Sequence, residues 1–171
     1  PQTFHVVPLR KGALEGAPYE EVAVFWRALE DATRRSSAVG VALKDALKKG
    51  KAMQVALTRA RAVPGDVDAQ LHEVRQALLA LDGELNGLAT KREVGEKTKP
   101  TIGARLAAIS RGVYRSTYGP TETDRDGLAI VNTQLSDVQK QLVKLQADLS
   151  ALGKTLIEAG APWVEGEGLP E

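Results

Sequence analysis

Apolar residues recur along the chain at alternating spacings of three and four residues, and this period predicts amphipathic α-helices with heptad seams. The first helix is predicted from Pro18, whose ring suits the first helical position, to Ala62. The others are predicted over residues 66–88, 101–115 and 121–159. The four stripes are Val22, Phe25, Leu29, Ala32, Ser36, Val39, Leu43, Ala46, Gly50, Met53, Leu57 and Ala60; Val67, Leu71, Val74, Leu78, Leu81, Leu85 and Leu88; Ile102, Leu106, Ile109 and Val113; and Leu128, Val131, Leu135, Val138, Leu142, Leu145, Leu149, Leu152, Leu156 and Ala159.

The joints between these stripes carry residues that start and stop helices. Asp66 is predicted to cap the second helix and Thr101 the third, because their side-chain oxygens can accept from free backbone amides. Residues 89–100 are charged and aperiodic, which predicts a connector. Within the first helix, Ser36 and Gly50 bury little apolar surface, and they indicate either a local break or the close approach of a neighbouring helix.

The predicted helix lengths constrain how the helices assemble. At about 1.5 Å per residue, the first helix is about 67 Å long, the fourth is about 58 Å, and the second and third together reach about 57 Å. The sequence therefore predicts an all-α fold, a long antiparallel helical bundle with three legs, of which the middle one is broken. If residues 89–100 fold back, a four-helix bundle results instead.

The first 17 residues have a different pattern from the rest. Thr3–Val7 alternates like a strand, Pro8 ends the alternation, and a polar linker follows. A lone strand has no partner in this chain, and the sequence begins at Pro1 without a methionine. We therefore expect residues 1–17 to be a short N-terminal extended segment and linker from the end of an upstream domain, and residues 18–171 to be the helical bundle domain.

The composition agrees with packed helices. Of the 171 residues, 43% are hydrophobic but only 4% are aromatic, which is typical of Ala- and Leu-rich helices rather than of a β-sandwich. The 23 basic and 22 acidic residues give a net charge of +1, so no nucleic-acid partner is predicted. The absence of cysteine excludes disulfides and thiolate metal sites. No apolar run reaches the roughly 20 residues that span a bilayer, so no membrane partner is predicted.

The segment STYGPTETDRD, residues 116–126, concentrates reactive side chains in a way that a catalytic loop would. Thr121 followed by Asp124 instead matches a helix capping box, and Glu122 is placed to pair with Arg125 on the helix surface. We therefore predict a turn and a helix start here. The predicted turn and cap residues are Thr101, Ser116, Thr117, Pro120, Thr121, Asp124, Pro162 and Trp163.

No catalytic residue, cofactor or metal site is predicted from the remaining motifs. The neighbouring carboxylates Glu30 and Asp31 lie off the seams, and Asp31 can pair with Arg35 across one helical turn. His5 and His72 lie in different elements, and no phosphate-binding or nucleophile-elbow motif is present. Two basic clusters are assigned to solvated faces, because the stacking aromatics of nucleic-acid sites are nearly absent from them. They are Lys44, Lys48, Lys49, Lys51, Arg59 and Arg61, and Lys91, Arg92, Lys97, Lys99, Arg105, Arg111 and Arg115.

Two segments carry a resemblance to a known family. They are PTIGARLAAISRGVYRSTYGPTETDRDGLAIVNTQL, residues 100–135, and LIEAGAPWVEGEGLP, residues 156–170. Both resemble the extreme C-terminal region of large bacterial sortilin-like proteins, glycosyl hydrolases of the BNR-repeat or VPS10 type. The matching positions are Pro100, Ile102, Ser116, Thr117, Pro120, Thr121, Gly160, Ala161, Pro162 and Trp163.

The resemblance implies a non-catalytic C-terminal accessory module that packs against, or spaces, an upstream β-propeller of the same chain. Any hydrolytic site would belong to that propeller, and a secreted or periplasmic location is implied. No catalytic residue of the family can be placed on this chain.

Two other classes of function stay open at this point. A self-associating or partner-binding bundle, for example a homodimer, would use apolar residues outside the seam, namely Val24, Val41, Leu47 and Val55. Glycan binding would use Trp26 or Trp163 as an aromatic platform, whereas the simpler interpretation is that Phe25, Trp26 and Trp163 cover the ends of the core.

Overall fold

The computed structural model describes residues 2–5, 7, 14–60, 62 and 65–162, and its regular structure is entirely helical. The helices are α1 (Tyr19–Leu57), α2 (Val67–Asn86), α3 (Ala89–Glu93), α4 (Ile102–Tyr114) and α5 (Glu122–Glu158). This confirms the predicted all-α class. Residues 2–5 and 7 are exposed and form no strand, so the origin of Thr3–Val7 in an upstream domain stays a prediction.

The predicted stripes form one hydrophobic core. Nearly every stripe residue is buried; Val22, Ser36, Ala60, Leu145 and Ala159 are half-buried. Leu88 is the exception, because α2 ends at Asn86 and Gly87 (φ +82°) redirects the chain, leaving Leu88 49% exposed. Each leucine or valine removed from water contributes about 1.5 to 3 kcal/mol, so the seams supply the main driving force for folding.

The two long helices α1 and α5 run parallel to each other. At one end the guanidinium of Arg125 lies 3.4 Å from the carboxylate of Glu21. Near the middle, Arg35 donates to the side-chain oxygen of Asn132 at 3.4 Å. Residue numbers therefore rise in the same direction along both helices. The predicted pairing of Asp31 with Arg35 is wrong, because Asp31 pairs with Arg34 at 2.6 Å and Arg35 makes the contact between helices.

The third leg consists of α2 followed by α4, both antiparallel to the long helices. A Cβ built on Gly103 at the start of α4 would lie 3.2 Å from the carbonyl oxygen of Leu85 near the end of α2, so α4 continues where α2 stops. Further along, a Cβ on Gly127 of α5 would lie 3.2 Å from Cδ1 of Ile109. The three-legged alternative with a broken middle leg is confirmed.

The connector between α2 and α4 leaves the leg and returns to it. A Cβ on Gly87 would lie 3.2 Å from Cγ2 of Thr101, so the two ends of the excursion lie side by side. The aperiodic segment nevertheless contains the one-turn helix α3, and Lys91 pairs with Glu96 at 2.8 Å just after it. The hydrophobic pattern missed α3 because all of its residues are partly or fully exposed.

Gly50 marks a close approach of helices rather than a break. The helix α1 is continuous through Ser36 and Gly50, and a Cβ on Gly50 would lie 3.1 Å from Cγ of Arg75 and 3.7 Å from Cδ2 of Leu149. The small residue thus lets both other legs pack against α1. The helix ends at Leu57, five residues before the predicted end at Ala62.

The prediction that the Asp66 side chain caps α2 is wrong. Asp66 does precede the first residue of α2, but its side chain makes no capping hydrogen bond. Its backbone (φ −107°, ψ −3°) is helical, whereas a capping side chain reaches the free amides from an extended backbone.

Candidate functional site

The chain enters the bundle and turns from α4 into α5 at the same end of the molecule. We call this the tyrosine end and define it as residues 14–25 together with 114–125. The backbone N–H of Ala17 donates to the carbonyl oxygen of Tyr118 at 2.9 Å, which fixes the segment before α1 against the turn. A cavity of about 730 Å³ lies between Leu14–Tyr19 and Ser116–Gly119.

Ser116 organises the turn at this end. Its hydroxyl accepts from the backbone N–H of Tyr118 at 3.1 Å and donates to the carbonyl oxygen of Gly119 at 3.3 Å. Gly119 and Pro120 are buried, whereas Thr117 is exposed. The Ser116 hydroxyl, which a catalytic interpretation would use, is therefore engaged in closing a tight turn.

Thr121 and Asp124 form a reciprocal capping box at the start of α5. The Thr121 hydroxyl oxygen accepts from the N–H of Asp124 at 3.2 Å, and the Asp124 carboxylate accepts from the N–H of Thr121 at 2.9 Å. At the start of α4 the Thr101 side chain accepts from the N–H of Ala104 at 3.1 Å, which is the first half of this arrangement. These bonds satisfy amides that a helix start otherwise leaves free.

Replacing Thr121 with alanine is expected to lower the free energy of unfolding by about 1 kcal/mol, because the capping oxygen is lost. Urea unfolding followed by circular dichroism measures this change. Thr121→Ser keeps the hydroxyl and serves as the control, so an equal loss in both variants would contradict a capping role.

All three tyrosines of the chain lie at the tyrosine end. Tyr19 is 64% exposed, Tyr114 is 81% exposed and Tyr118 is 42% exposed, and Leu14 beside them is 71% exposed. Tyrosine is enriched at protein interfaces because its ring is apolar and its hydroxyl can hydrogen-bond. This arrangement was not predicted; the signal available was that Tyr19 and Tyr114 fall at predicted helix ends.

Arg125 connects the two long helices at this end. Its guanidinium lies 3.4 Å from Glu21 and 5.9 Å from the ring centroid of Phe25, within the range of a cation–π contact. The predicted surface pair with Glu122 is wrong, because the parallel arrangement of α1 and α5 brings Glu21 and Phe25 closer. The contact orients the start of α5 against the start of α1.

The other predicted candidates are scattered. Among the described residues, no group of three or more His, Asp or Glu is placed to hold a metal ion, and His5 and His72 are both exposed. Trp26 is half-buried and packs against the core, while Trp163 lies outside the described residues. Pro162 is exposed at the end opposite the tyrosine end.

The basic clusters and exposed valines are distributed along the legs. Of the first basic cluster, Arg61 lies outside the described residues. Val24, Val41 and Val55 are 61%, 63% and 46% exposed, as a docking face would require, but Leu47 packs against the core.

No protein-family model, curated protein or solved structure matches the chain. Across the described helices, none is both long and apolar enough to cross a bilayer. The fold and the tyrosine end together define a three-legged helical bundle with an aromatic surface at one end.

Proposed function

We propose that this chain is a non-catalytic accessory module that docks through its tyrosine end onto a preceding domain of the same polypeptide. The observation that supports this is the grouping of all three tyrosines, exposed, at the end where the chain enters the bundle. In the context suggested by the sequence resemblance, the preceding domain is the β-propeller of a sortilin-like, BNR-repeat glycosyl hydrolase, and any hydrolytic step belongs to that propeller.

The geometry of the segment before α1 favours docking at this end over the long sides of the bundle. The bond from Ala17 to Tyr118 and the close approach of Gly16, whose Cβ would lie 3.1 Å from Cα of Tyr118, hold this segment in a defined direction. A domain joined there would remain close to the tyrosines, and a short tether raises its effective concentration into the millimolar range. A modest aromatic surface is then sufficient for stable contact.

The accessible aromatic side chains provide the test. We expect the chain to form a one-to-one complex with the separately produced preceding region of its parent protein, as measured by light scattering. Each of Tyr19→Ala, Tyr114→Ala and Tyr118→Ala is expected to weaken this complex about tenfold, which corresponds to a loss of about 1.4 kcal/mol of binding free energy for each aromatic side chain.

The control is Leu79→Ala on α2, an apolar side chain about as exposed as Tyr118 (43% against 42%) and away from the tyrosine end. Circular dichroism confirms that each variant keeps its helices. Unchanged affinity in all three tyrosine variants would exclude docking through this end. Absence of any complex with both parts at about millimolar concentration, which matches the effective concentration of the tether, would exclude the accessory role.

Self-association is the second candidate function. Val41 and Val55 lie 14 residues apart and so share one face of α1, where both are exposed. A second copy could cover this face as in a helical dimer. Light scattering of the chain alone over a range of concentrations distinguishes the two proposals, because only self-association predicts a dimer that Val41→Glu dissolves.

A further inference from the structure

A second surface feature lies at the end of α1 far from the tyrosine end. A cavity of about 470 Å³ opens there between α1 and Pro162, and we call it the basic cavity. Its floor is apolar, formed by Ala52, Val55 and the buried Ala56. Its described rim carries the cations Lys48, Lys51 and Arg59 and no carboxylate. An apolar floor with a cationic rim fits an acidic segment that also carries an apolar side chain.

The end of α5 directs the chain toward this cavity. Gly160 adopts a positive φ of 71°. Its backbone N–H donates to the carbonyl oxygen of Ile157 at 2.9 Å, and the N–H of Ala161 donates to the carbonyl oxygen of Leu156 at 2.9 Å. This pattern is a Schellman motif, which reverses the chain direction after a helix. Pro162, the next residue, accordingly lies in the wall of the basic cavity.

The residues that follow Pro162 combine apolar and acidic side chains, which match the apolar floor and the cationic rim of the basic cavity. The segment WVEGEGLPE, residues 163–171, supplies Trp163 and Val164 directly after Pro162 in the sequence, and three glutamates, Glu165, Glu167 and Glu171. Nine extended residues reach about 30 Å, whereas Arg59, two residues past the end of α1, lies about 17 Å from Lys48 at the helical rise per residue. The segment is therefore long enough to reach every cation of the rim.

We propose that the basic cavity is the docking site for residues 163–171 of the same chain, with Trp163 on the Val55 floor and the glutamates facing Lys51 and Arg59. The apolar contact provides most of the affinity, because exposed ion pairs contribute less than about 1 kcal/mol each. Docking joins the C-terminal part of the chain to α1 beyond the end of α5.

Tryptophan fluorescence tests this in the full 171-residue chain. The chain has two tryptophans, so Trp26→Phe leaves Trp163 as the only reporter. In that protein, acrylamide is expected to quench Trp163 several-fold less than after unfolding in urea. Adding Val55→Glu places a charge on the cavity floor and is expected to raise the quenching constant to the unfolded value.

The matched control is Val143→Glu, an exposed valine on α5 that lies outside the cavity; it is expected to leave quenching unchanged. The double variant Lys51→Glu with Arg59→Glu should also raise quenching, which provides a second disruption at exposed positions. Circular dichroism verifies that the helices persist in each variant.

Three results would each overturn the proposal. The first is full quenching of Trp163 before any cavity substitution. The second is the same protection with and without Val55→Glu. The third is protection that disappears on dilution together with a dimer, which would assign the cavity to the segment of a second copy.

Discussion

Leu135→Ala is expected to lower the free energy of unfolding by about 3 to 5 kcal/mol, the largest effect of any single truncation considered for this protein. Leu135 is fully buried at the centre of α5. The two long helices contribute unequally to the core: α1 places Ala32, Ala46 and Gly50 at buried seam positions, whereas the buried seam of α5 is leucine and valine throughout. Of the two long helices, α5 therefore supplies the larger side chains to the core, and removing one of them leaves a cavity.

Urea unfolding of Leu135→Ala measures this effect against Val143→Ala on the same helix. Val143 is 61% exposed, so its truncation is expected to change the free energy of unfolding by no more than about 0.5 kcal/mol. Since small domains are stable by only about 5 to 15 kcal/mol, Leu135→Ala should leave a marginally folded protein. A loss of less than about 1.5 kcal/mol in Leu135→Ala would contradict this prediction and would mean that the three legs are loosely packed around Leu135.

Gly119→Ala is expected to destabilise the protein by about 2 to 4 kcal/mol and to loosen the tyrosine end. Gly119 has a φ of +89°, a conformation that costs an alanine energy by itself. In addition, the new Cβ would lie 2.9 Å from Cβ of Ala17 and 2.9 Å from Cγ2 of Val22, too close for any real contact. The segment before α1 must move, and the bond from Ala17 to Tyr118 should break.

Gly95→Ala separates these two causes. Gly95 also has a positive φ, +68°, but no atom lies within 4 Å of its built Cβ, so only the backbone strain of about 1 kcal/mol is expected. Hydrogen exchange of the Ala17 amide should accelerate in Gly119→Ala and stay slow in Gly95→Ala. Equal destabilisation by both substitutions would show that the contact with the segment before α1 has no energetic weight.

The helices and their caps could be predicted because their determinants are local. The capping box of Thr121 and Asp124 spans one helical turn, and the stripe of α5 repeats within each heptad. The lengths of the stripes also favoured the three-legged arrangement. Asp66 shows the limit of this reasoning, since a suitable residue type does not cap a helix when its backbone is already helical.

The contacts between helices could not be predicted from such patterns. Arg125 has an acidic neighbour on its own helix, yet it lies against Glu21 and Phe25, which precede it by about 100 residues. The tyrosine end likewise forms only when α1, α4 and α5 meet. The periodicity of one helix predicts which of its faces is buried but not which helix packs against that face. The tyrosine end could therefore be identified only from the folded chain.

An odd number of legs carries the polypeptide across the whole molecule. The chain enters α1 at one end, returns through the middle leg and leaves α5 at the other end, so Tyr19 and Glu158 lie at opposite ends. The 37 residues of α5 place these two points about 55 Å apart. Anything tethered before α1 and anything tethered after α5 would therefore be kept apart by a stiff rod, whereas a bundle with an even number of legs would bring both tethers to the same side.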